Sequence, residues 1–196
     1  MTKLDENYWE SRWQAGRTGW DLGEPAPALI TYLQNWSSDT RILIPGAGRA
    51  HEALWLHRHG YTEVYVCDWA PSALEHFRQA APDFPAAHLL ACDFFTLDLE
   101  VDLLIEHTFF CAIDPALRPQ YVEKSYQLLA SGGILAGLFW ATHFEQDGPP
   151  FGGELAEYHR LFDPYFEFLQ SELAALSVTP RKGREYFLEL RKKDLV

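Results

Sequence analysis

Two glycines and one carboxylate have the spacing of a nucleotide-binding site. The aliphatic run Arg41-Ile42-Leu43-Ile44 leads directly into Pro45-Gly46-Ala47-Gly48-Arg49, and a helical stretch follows. Glycines at a strand-to-helix turn let a ligand approach the main chain closely. Asp68 lies twenty residues beyond Gly48, at the end of the next predicted strand, where a carboxylate can accept both hydroxyls of an adenosine ribose. The pattern predicts an adenosine-type ligand, unless the glycines only form a tight turn and the carboxylate only caps a helix.

The third glycine of a dinucleotide-binding loop is absent. A dinucleotide needs that glycine so that the helix packs close and its N-terminus faces the pyrophosphate, but His51 occupies the position. This counts against a nicotinamide (NAD(P))-dependent oxidoreductase, which stays the second interpretation. Asp93 and Phe94, at the end of the third predicted strand, can offer an acceptor to an adenine amino group and an apolar wall to its ring. S-adenosylmethionine is a ligand of this kind.

The candidate ligand-binding residues are positioned by short aliphatic runs that alternate with helical stretches. Such an alternation predicts a parallel sheet covered by helices. Strands are expected at 41–44, 63–67, 88–91, 101–105 and 134–140, with an antiparallel hairpin from 167–176 and 185–191. Helices are expected at 50–59, from Pro71 onward, from the N-cap Asp114 and Pro115 to 129, and near 154–162.

The first forty residues predict a helical appendage. Trp9 and Trp13 are four residues apart and share one helix face. A second helix is expected from Pro25 or Pro27 to about Trp36. The aromatic face can exclude water and attract a sulfonium cation, with plain core packing as the alternative.

The composition narrows the possible partners. The 196 residues include 16 basic and 28 acidic side chains, a net charge of −12, so the chain repels phosphate backbones and nucleic acid is not an expected partner. We expect no export signal, because no apolar segment follows the charges of residues 1–7. We expect no membrane insertion, because no run of about eighteen apolar residues occurs. Three widely spaced cysteines without a Cys-x-x-Cys pair predict neither disulfides nor a zinc knuckle and fit a cytoplasmic location.

The order of motifs resembles the plan of class I methyltransferases. After the fourth predicted strand come Glu106-His107-Thr108-Phe109-Phe110, then Asp114-Pro115, and then Leu128-Leu129-Ala130-Ser131-Gly132-Gly133. A narrower resemblance, to the thiopurine S-methyltransferase family, is found in Tyr8-Trp9-Glu10-Ser11-Arg12-Trp13, Thr18-Gly19-Trp20-Asp21-Leu22-Gly23, Ile44-Pro45-Gly46-Ala47-Gly48 and Phe109-Phe110-Cys111-Ala112-Ile113-Asp114-Pro115. Gly148-Pro149-Pro150-Phe151 and Pro180-Arg181-Lys182-Gly183-Arg184 are most similar to its halide and thiol methyltransferase branch. The resemblance spans nearly the whole chain.

This resemblance implies an α/β fold, a single Rossmann-like class I methyltransferase domain over 1–196 with a helical lid at 1–40 and a core at 41–196. The implied sheet is seven-stranded and mostly parallel, with a C-terminal antiparallel hairpin. The implied activity is methyl transfer from S-adenosylmethionine, with S-adenosylhomocysteine as product and no metal. The acceptor is a small soft nucleophile: a thiol, a thiopurine-like aromatic thiol, a halide or thiocyanate. A monomer is expected, and a non-catalytic S-adenosylmethionine-binding module is the third interpretation.

The resemblance also implies roles for individual residues. The predicted cofactor-binding residues are Trp9, Trp13, Trp20, Gly46, Gly48, Asp68, Asp93, Phe94 and His107, and the predicted substrate-binding residues are Phe109 and Phe110. The tryptophans would close over the cofactor, and His107 would lie beside its sulfonium end. Plant-type members of the branch have tyrosine at the position of His107 and thiopurine enzymes have arginine, so a buried core histidine is the alternative. No general base is assigned, because an attacking thiolate or halide needs only alignment with the methyl group.

Other side chains have a second interpretation each. Cys111 is a nucleophile or, more commonly, a small buried hydrophobe. Lys182 and Arg184 meet an anionic substrate or belong to a solvated turn. His51 and Glu52 begin like a zinc-binding helix, but a tryptophan stands where the second histidine is needed.

Overall fold

Seven strands form one central sheet. The computed structural model describes residues 3–194. The strands are β1 (Ile42–Pro45), β2 (Val64–Asp68), β3 (Leu89–Ala91), β4 (Val101–His107), β5 (Leu129–Trp140), β6 (Phe166–Leu173) and β7 (Glu185–Lys192). Their order is β3-β2-β1-β4-β5-β7-β6; β1 to β5 are parallel and β7 is antiparallel to both neighbours. The predicted mostly parallel sheet with a C-terminal hairpin is confirmed.

Helices flank the sheet and precede it. They are α1 (Glu6–Gln14), α2 (Pro27–Leu33), α3 (His51–Arg58), α4 (Pro71–Ala80), α5 (Arg118–Leu128) and α6 (Leu155–Phe162). Proline at the first turn of α2 and α4 is compatible with helix initiation, because the first N–H groups of a helix have no partner within it. Within residues 3–194, no helix combines the length and apolar character needed to cross a membrane.

Alternate residues of the strands contribute to two apolar cores. Ile42 and Ile44 pack on the face covered by α2, α3 and α4, whereas Leu43 packs on the face covered by α5 and α6. This follows from the alternation of side chains along a strand. Because helices cover both faces of the sheet, a ligand can reach it at the carboxyl ends of the strands. The connections that follow β1 and β4 lead to opposite faces at this point.

Several predicted boundaries differ from the structure by two to five residues; β6, for example, ends at Leu173 and not at 176. β5 begins at Leu129, because this residue already pairs with Val101 across a register irregularity. The predicted N-cap Asp114 does accept a hydrogen bond from the N–H of Ala116, but it starts a short 3-10 turn, and α5 begins only at Arg118. The second N-terminal helix ends at Leu33, three residues before the predicted end.

Candidate cofactor and acceptor site

A cavity of about 1040 Å³ lies at the carboxyl ends of β1 to β4 and beneath α1. Most of the predicted site residues line it: Trp9, Trp13, Trp20, Gly46, Gly48, Asp68, Asp93, Phe94 and Phe109. Ligand cavities usually measure about 300 to 1,000 Å³. The volume therefore suffices for a cofactor of nucleoside size together with a small second molecule.

The two loop glycines are required by their conformation and by close neighbours. Gly46 and Gly48 have φ values of 54° and 56°, in the left-handed region that favours glycine. A Cβ atom on Gly46 would overlap the ring of Phe109, and one on Gly48 would lie 3.4 Å from Cζ2 of Trp13. The main chain is therefore exposed to the cavity at the point where the predicted ligand must approach it.

Asp68 fixes the loop from the end of β2. Its Oδ2 accepts from the N–H of Gly48 at 3.0 Å and its Oδ1 from the N–H of Ala70 at 2.9 Å. An ionised carboxylate offers about four lone-pair sites, so acceptor capacity remains for ribose hydroxyls. Burial raises the pKa of Asp68 to about 6, against the lowering effect of these N–H groups. At neutral pH the group is mostly the carboxylate that such a role requires.

Three tryptophans form an aromatic cover over this loop. The rings of Trp9 and Trp13 each meet Trp20 edge to face, with centroids 5.5 and 5.9 Å apart. α1 is fixed to α4, because Glu10 accepts from the N–H of Ser72 at 3.0 Å. Edge-to-face pairs are favoured geometries for aromatic rings. The cover is thus packed as one unit on the glycine loop.

Asp21 holds the segment that follows Trp20 through two contacts that the sequence did not predict. Its carboxylate lies 2.8 Å from Nε2 of His51 and 2.6 Å from Nε of Arg49. Burial acts to raise the pKa of Asp21, but these groups and the N–H of Gly23 hold it below its ordinary value. The residue that replaces the third glycine therefore holds the aromatic cover. Asp21 lies within the motif at 18–23, but spacing alone does not reveal its contacts with Arg49 and His51.

Asp93 and Phe94 form the cavity wall after β3, the strand next to the one that ends at Asp68. Oδ1 of Asp93 accepts from the N–H of Phe95 at 3.0 Å, which orients the carboxylate at the start of a 3-10 turn. The Phe94 ring stacks on Tyr121 and meets Phe109 edge to face, with both centroid distances 5.3 Å. The wall therefore offers acceptor oxygens next to an apolar ring, as an adenine requires.

Glu106 organises the turn after β4, and the sequence reasoning did not identify it. It is 1% exposed, and it accepts from the N–H groups of Phe109 and Phe110 at 2.8 Å each and from the hydroxyl of Tyr121 at 2.7 Å. Thr108, which lies between Glu106 and Phe109, has a φ of 68°, an uncommon conformation for a β-branched residue. The carboxylate stabilises this turn, which places Phe109 against Gly46.

Replacing this carboxylate by an amide tests its ionisation. Burial raises the pKa of Glu106 to about 7, so between its unfolded value and about 7 the folded state binds more protons. Unfolding free energy therefore falls as pH rises through this window. For Glu106→Gln, which cannot titrate, we expect the wild-type stability relative to the variant to fall by about 2 to 3 kcal/mol from about pH 5 to about pH 8. Urea unfolding across this range measures it, and a pH-independent difference contradicts it.

Two predicted residues lie outside the cavity lining. Phe110 is 2% exposed and packs in an aromatic cluster with Tyr121, Phe139 and Tyr158. His107 does not line the cavity either, and its ring contacts Glu52 and Arg181. Alternation along β4 puts successive side chains on opposite faces, so neighbours of lining residues can point into the core.

The far half of the cavity is apolar, with one buried cation. Among the residues that line it are Cys111, Trp140, Phe144, Pro149, Pro180 and Arg181. Arg181 lies over the Trp140 ring at 5.3 Å, and its Nη2 donates to the carbonyl of Trp20 at 2.7 Å. Burial raises the pKa of the Cys111 thiol to about 12, which opposes its use as a nucleophile. Among the described residues, neither Lys182 nor Arg184 lines the cavity.

The fold and cavity define the class of protein. An architecture of this kind occurs in the 1,6-didemethyltoxoflavin-N1-methyltransferase of Burkholderia thailandensis, solved with S-adenosylhomocysteine, with a TM-score of 0.75 over 97% of this chain and 88% of that one at 20% identity. The exposed glycine loop, the ionised carboxylate and the aromatic cover fit an adenosine bearing a sulfonium group. The chain therefore has the fold of that methyltransferase.

Sequence comparison identifies the family. The chain belongs to the thiopurine S-methyltransferase (TPMT) family, whose pattern matches residues 4–193. It is 32% identical to a probable thiol methyltransferase 2 of Arabidopsis thaliana, over 94% of this chain and 84% of that protein. It is 30% identical to thiocyanate methyltransferase 1 of Brassica oleracea, over 93% and 83%. The family that the motifs resemble is therefore confirmed.

Proposed function

We propose that the chain transfers the methyl group of S-adenosylmethionine to a small soft anion, a thiolate or thiocyanate, that binds beside Arg181. The observation that carries this proposal is the composition of the far half of the cavity, where aromatic walls surround one buried guanidinium. An apolar wall suits a polarisable sulfur, and a guanidinium attracts a negative charge without being able to lose its proton. Relatives named for thiol and thiocyanate methylation support this acceptor class.

The cofactor half has a proposed role for each predicted residue that lines it. Gly46 and Gly48 would accept the methionine part against the main chain, Asp68 the ribose hydroxyls, and Asp93 with Phe94 the adenine. The tryptophan cover would exclude water and face the sulfonium charge. When bound, the cofactor supplies the electrophilic methyl group.

Alignment is the main task of the protein in this reaction. A thiolate or thiocyanate is already nucleophilic, so holding it about 3 to 3.5 Å from the methyl carbon, in line with the breaking bond, accounts for much of the acceleration. The raised pKa of Cys111 keeps a competing thiolate out of the cavity. We therefore assign no general base.

Arg181→Met tests the proposed anion site. Loss of the guanidinium should raise the KM for thiocyanate at least about tenfold, since hydrogen bonds to charged groups contribute about 1.5 to 3 kcal/mol. Arg184→Met is the matched control, because Arg184 also lies over Trp140, at 5.6 Å, but does not line the cavity. Its KM should stay within about threefold of wild type. Equal KM values for the two variants in steady-state assays contradict the proposed site.

The proposal includes a cytoplasmic, single-domain monomer without nucleic-acid partners. The net charge of −12 and the free cysteines at 67, 92 and 111 support the location and the exclusion of nucleic acid. Size-exclusion chromatography with light scattering should give a mass near 22.5 kDa, and a mass twice as large contradicts the monomer.

A further inference from the structure

His107 has both ring nitrogens in contact with buried charged groups of other elements. Nδ1 lies 3.2 Å from Oε1 of Glu52 on α3, and Nε2 lies 3.3 Å from Nη1 of Arg181, just before β7. The side chains of Glu52 and Arg181 are 6% and 8% exposed, so water competes little for these contacts. The ring therefore connects the core helix α3 to the cation at the acceptor half of the cavity.

The two partners determine where the ring carries its proton. A guanidinium has donors only and stays charged, so the contact with Arg181 is a hydrogen bond only when Nε2 is unprotonated. The proton then lies on Nδ1, which donates to Glu52. Oε1 of Glu52 also accepts from the N–H of Ala26 at 2.9 Å, so an acceptor oxygen faces Nδ1. An imidazolium would instead put an N–H against the guanidinium.

We propose that His107, as the neutral Nδ1–H tautomer, is a positioning residue that holds the guanidinium of Arg181 at the acceptor. This inference rests on the proposed anion site. Nη1 of Arg181 also lies 3.3 Å from Oε1 of Glu185, and Nη2 holds the carbonyl of Trp20. His107 and Glu185 thus hold Nη1 of Arg181, and the carbonyl of Trp20 holds Nη2. Together these contacts fix the orientation of the guanidinium. The histidine therefore contacts the arginine and does not line the cavity.

Two amide variants separate the two contacts of the ring. The amide of His107→Gln extends to the Nε2 position and can accept from Arg181, whereas His107→Asn is too short and can donate only toward Glu52. We expect His107→Asn to raise the KM for thiocyanate about tenfold with kcat within about threefold, and His107→Gln to stay within about threefold of the wild-type KM. Unchanged KM values in both variants overturn the proposal. Equal increases in both also overturn it, because a merely structural role does not distinguish them.

The tautomer is measured without any turnover. With isotope-labelled histidine nitrogen, NMR of the intact protein near neutral pH should show His107 protonated at Nδ1 only, the signal being assigned by its loss in His107→Gln. A proton at Nε2, or at both nitrogens, overturns the proposal. Wild-type protein that methylates no acceptor would contradict the proposed function. The NMR measurement would still show which nitrogen of His107 carries the proton, so the two failures are distinguishable.

Discussion

Asp68→Ala should weaken binding of S-adenosylhomocysteine at least about 100-fold. The substitution removes the proposed acceptor of two ribose hydroxyls, and hydrogen bonds to a charged group contribute about 1.5 to 3 kcal/mol each. It also leaves the N–H groups of Gly48 and Ala70 without the carboxylate that now accepts from them. Isothermal titration calorimetry measures the loss.

Two comparisons make the result specific. Asp83→Ala removes an exposed carboxylate that lies 3.2 Å from His57, outside the cavity lining, and should leave the dissociation constant unchanged. Because the pKa of Asp68 is raised to about 6, wild-type affinity should also fall as pH drops below about 6, and this dependence should be absent in Asp68→Ala. A folded Asp68→Ala protein that binds within about threefold of wild type contradicts the ribose role.

Gly46→Ala should lower methyl transfer about 100-fold. The new Cβ would overlap the Phe109 ring, so the ring or the glycine loop must move, and a displacement of about 1 Å near reacting groups can reduce rates by this factor. The left-handed φ of 54° adds strain of about 1 to 2 kcal/mol for a residue with a side chain. Single-turnover kinetics measures the loss.

Gly60→Ala is the matched control for the strain. Gly60 also has a left-handed φ, 82°, but a Cβ atom there meets nothing within 4 Å. This variant should lose stability, seen as a lower melting temperature, while methyl transfer by the folded protein stays at the wild-type rate. If both variants lose activity equally, backbone strain and not the contact with Phe109 is responsible.

Local patterns were sufficient to predict the sheet and part of the site. Gly46, Gly48 and Asp68 lie at the ends of successive strands, so the strand pattern alone places them together. The alternation and the hairpin predicted the strand segments, and the family resemblance implied their arrangement in one seven-stranded sheet. The boundary of β5 was missed because the pairing of Leu129 with Val101 is a tertiary contact that hydrophobic spacing does not contain.

Contacts between distant segments explain what the sequence could not show. Asp21 joins His51, and Glu106 joins Tyr121, each across a separation that only the fold determines. Arg181 and its neighbours Lys182 and Arg184 belong to one motif, and residue type alone does not show which of the three is buried. Phe110 was assigned to the site with Phe109, although only one of the two lines the cavity.

Transfer of an isotopically labelled methyl group tests the central claim most directly. The protein is incubated with labelled S-adenosylmethionine and with thiocyanate, iodide, an aliphatic thiol and an aromatic thiol in competition, and labelled products are separated from the cofactor. We expect labelled methyl thiocyanate or thioether in equal amount to S-adenosylhomocysteine, without any requirement for a nicotinamide. Tight binding of S-adenosylhomocysteine with no labelled product from any acceptor would contradict the claim and indicate a non-catalytic cofactor-binding module.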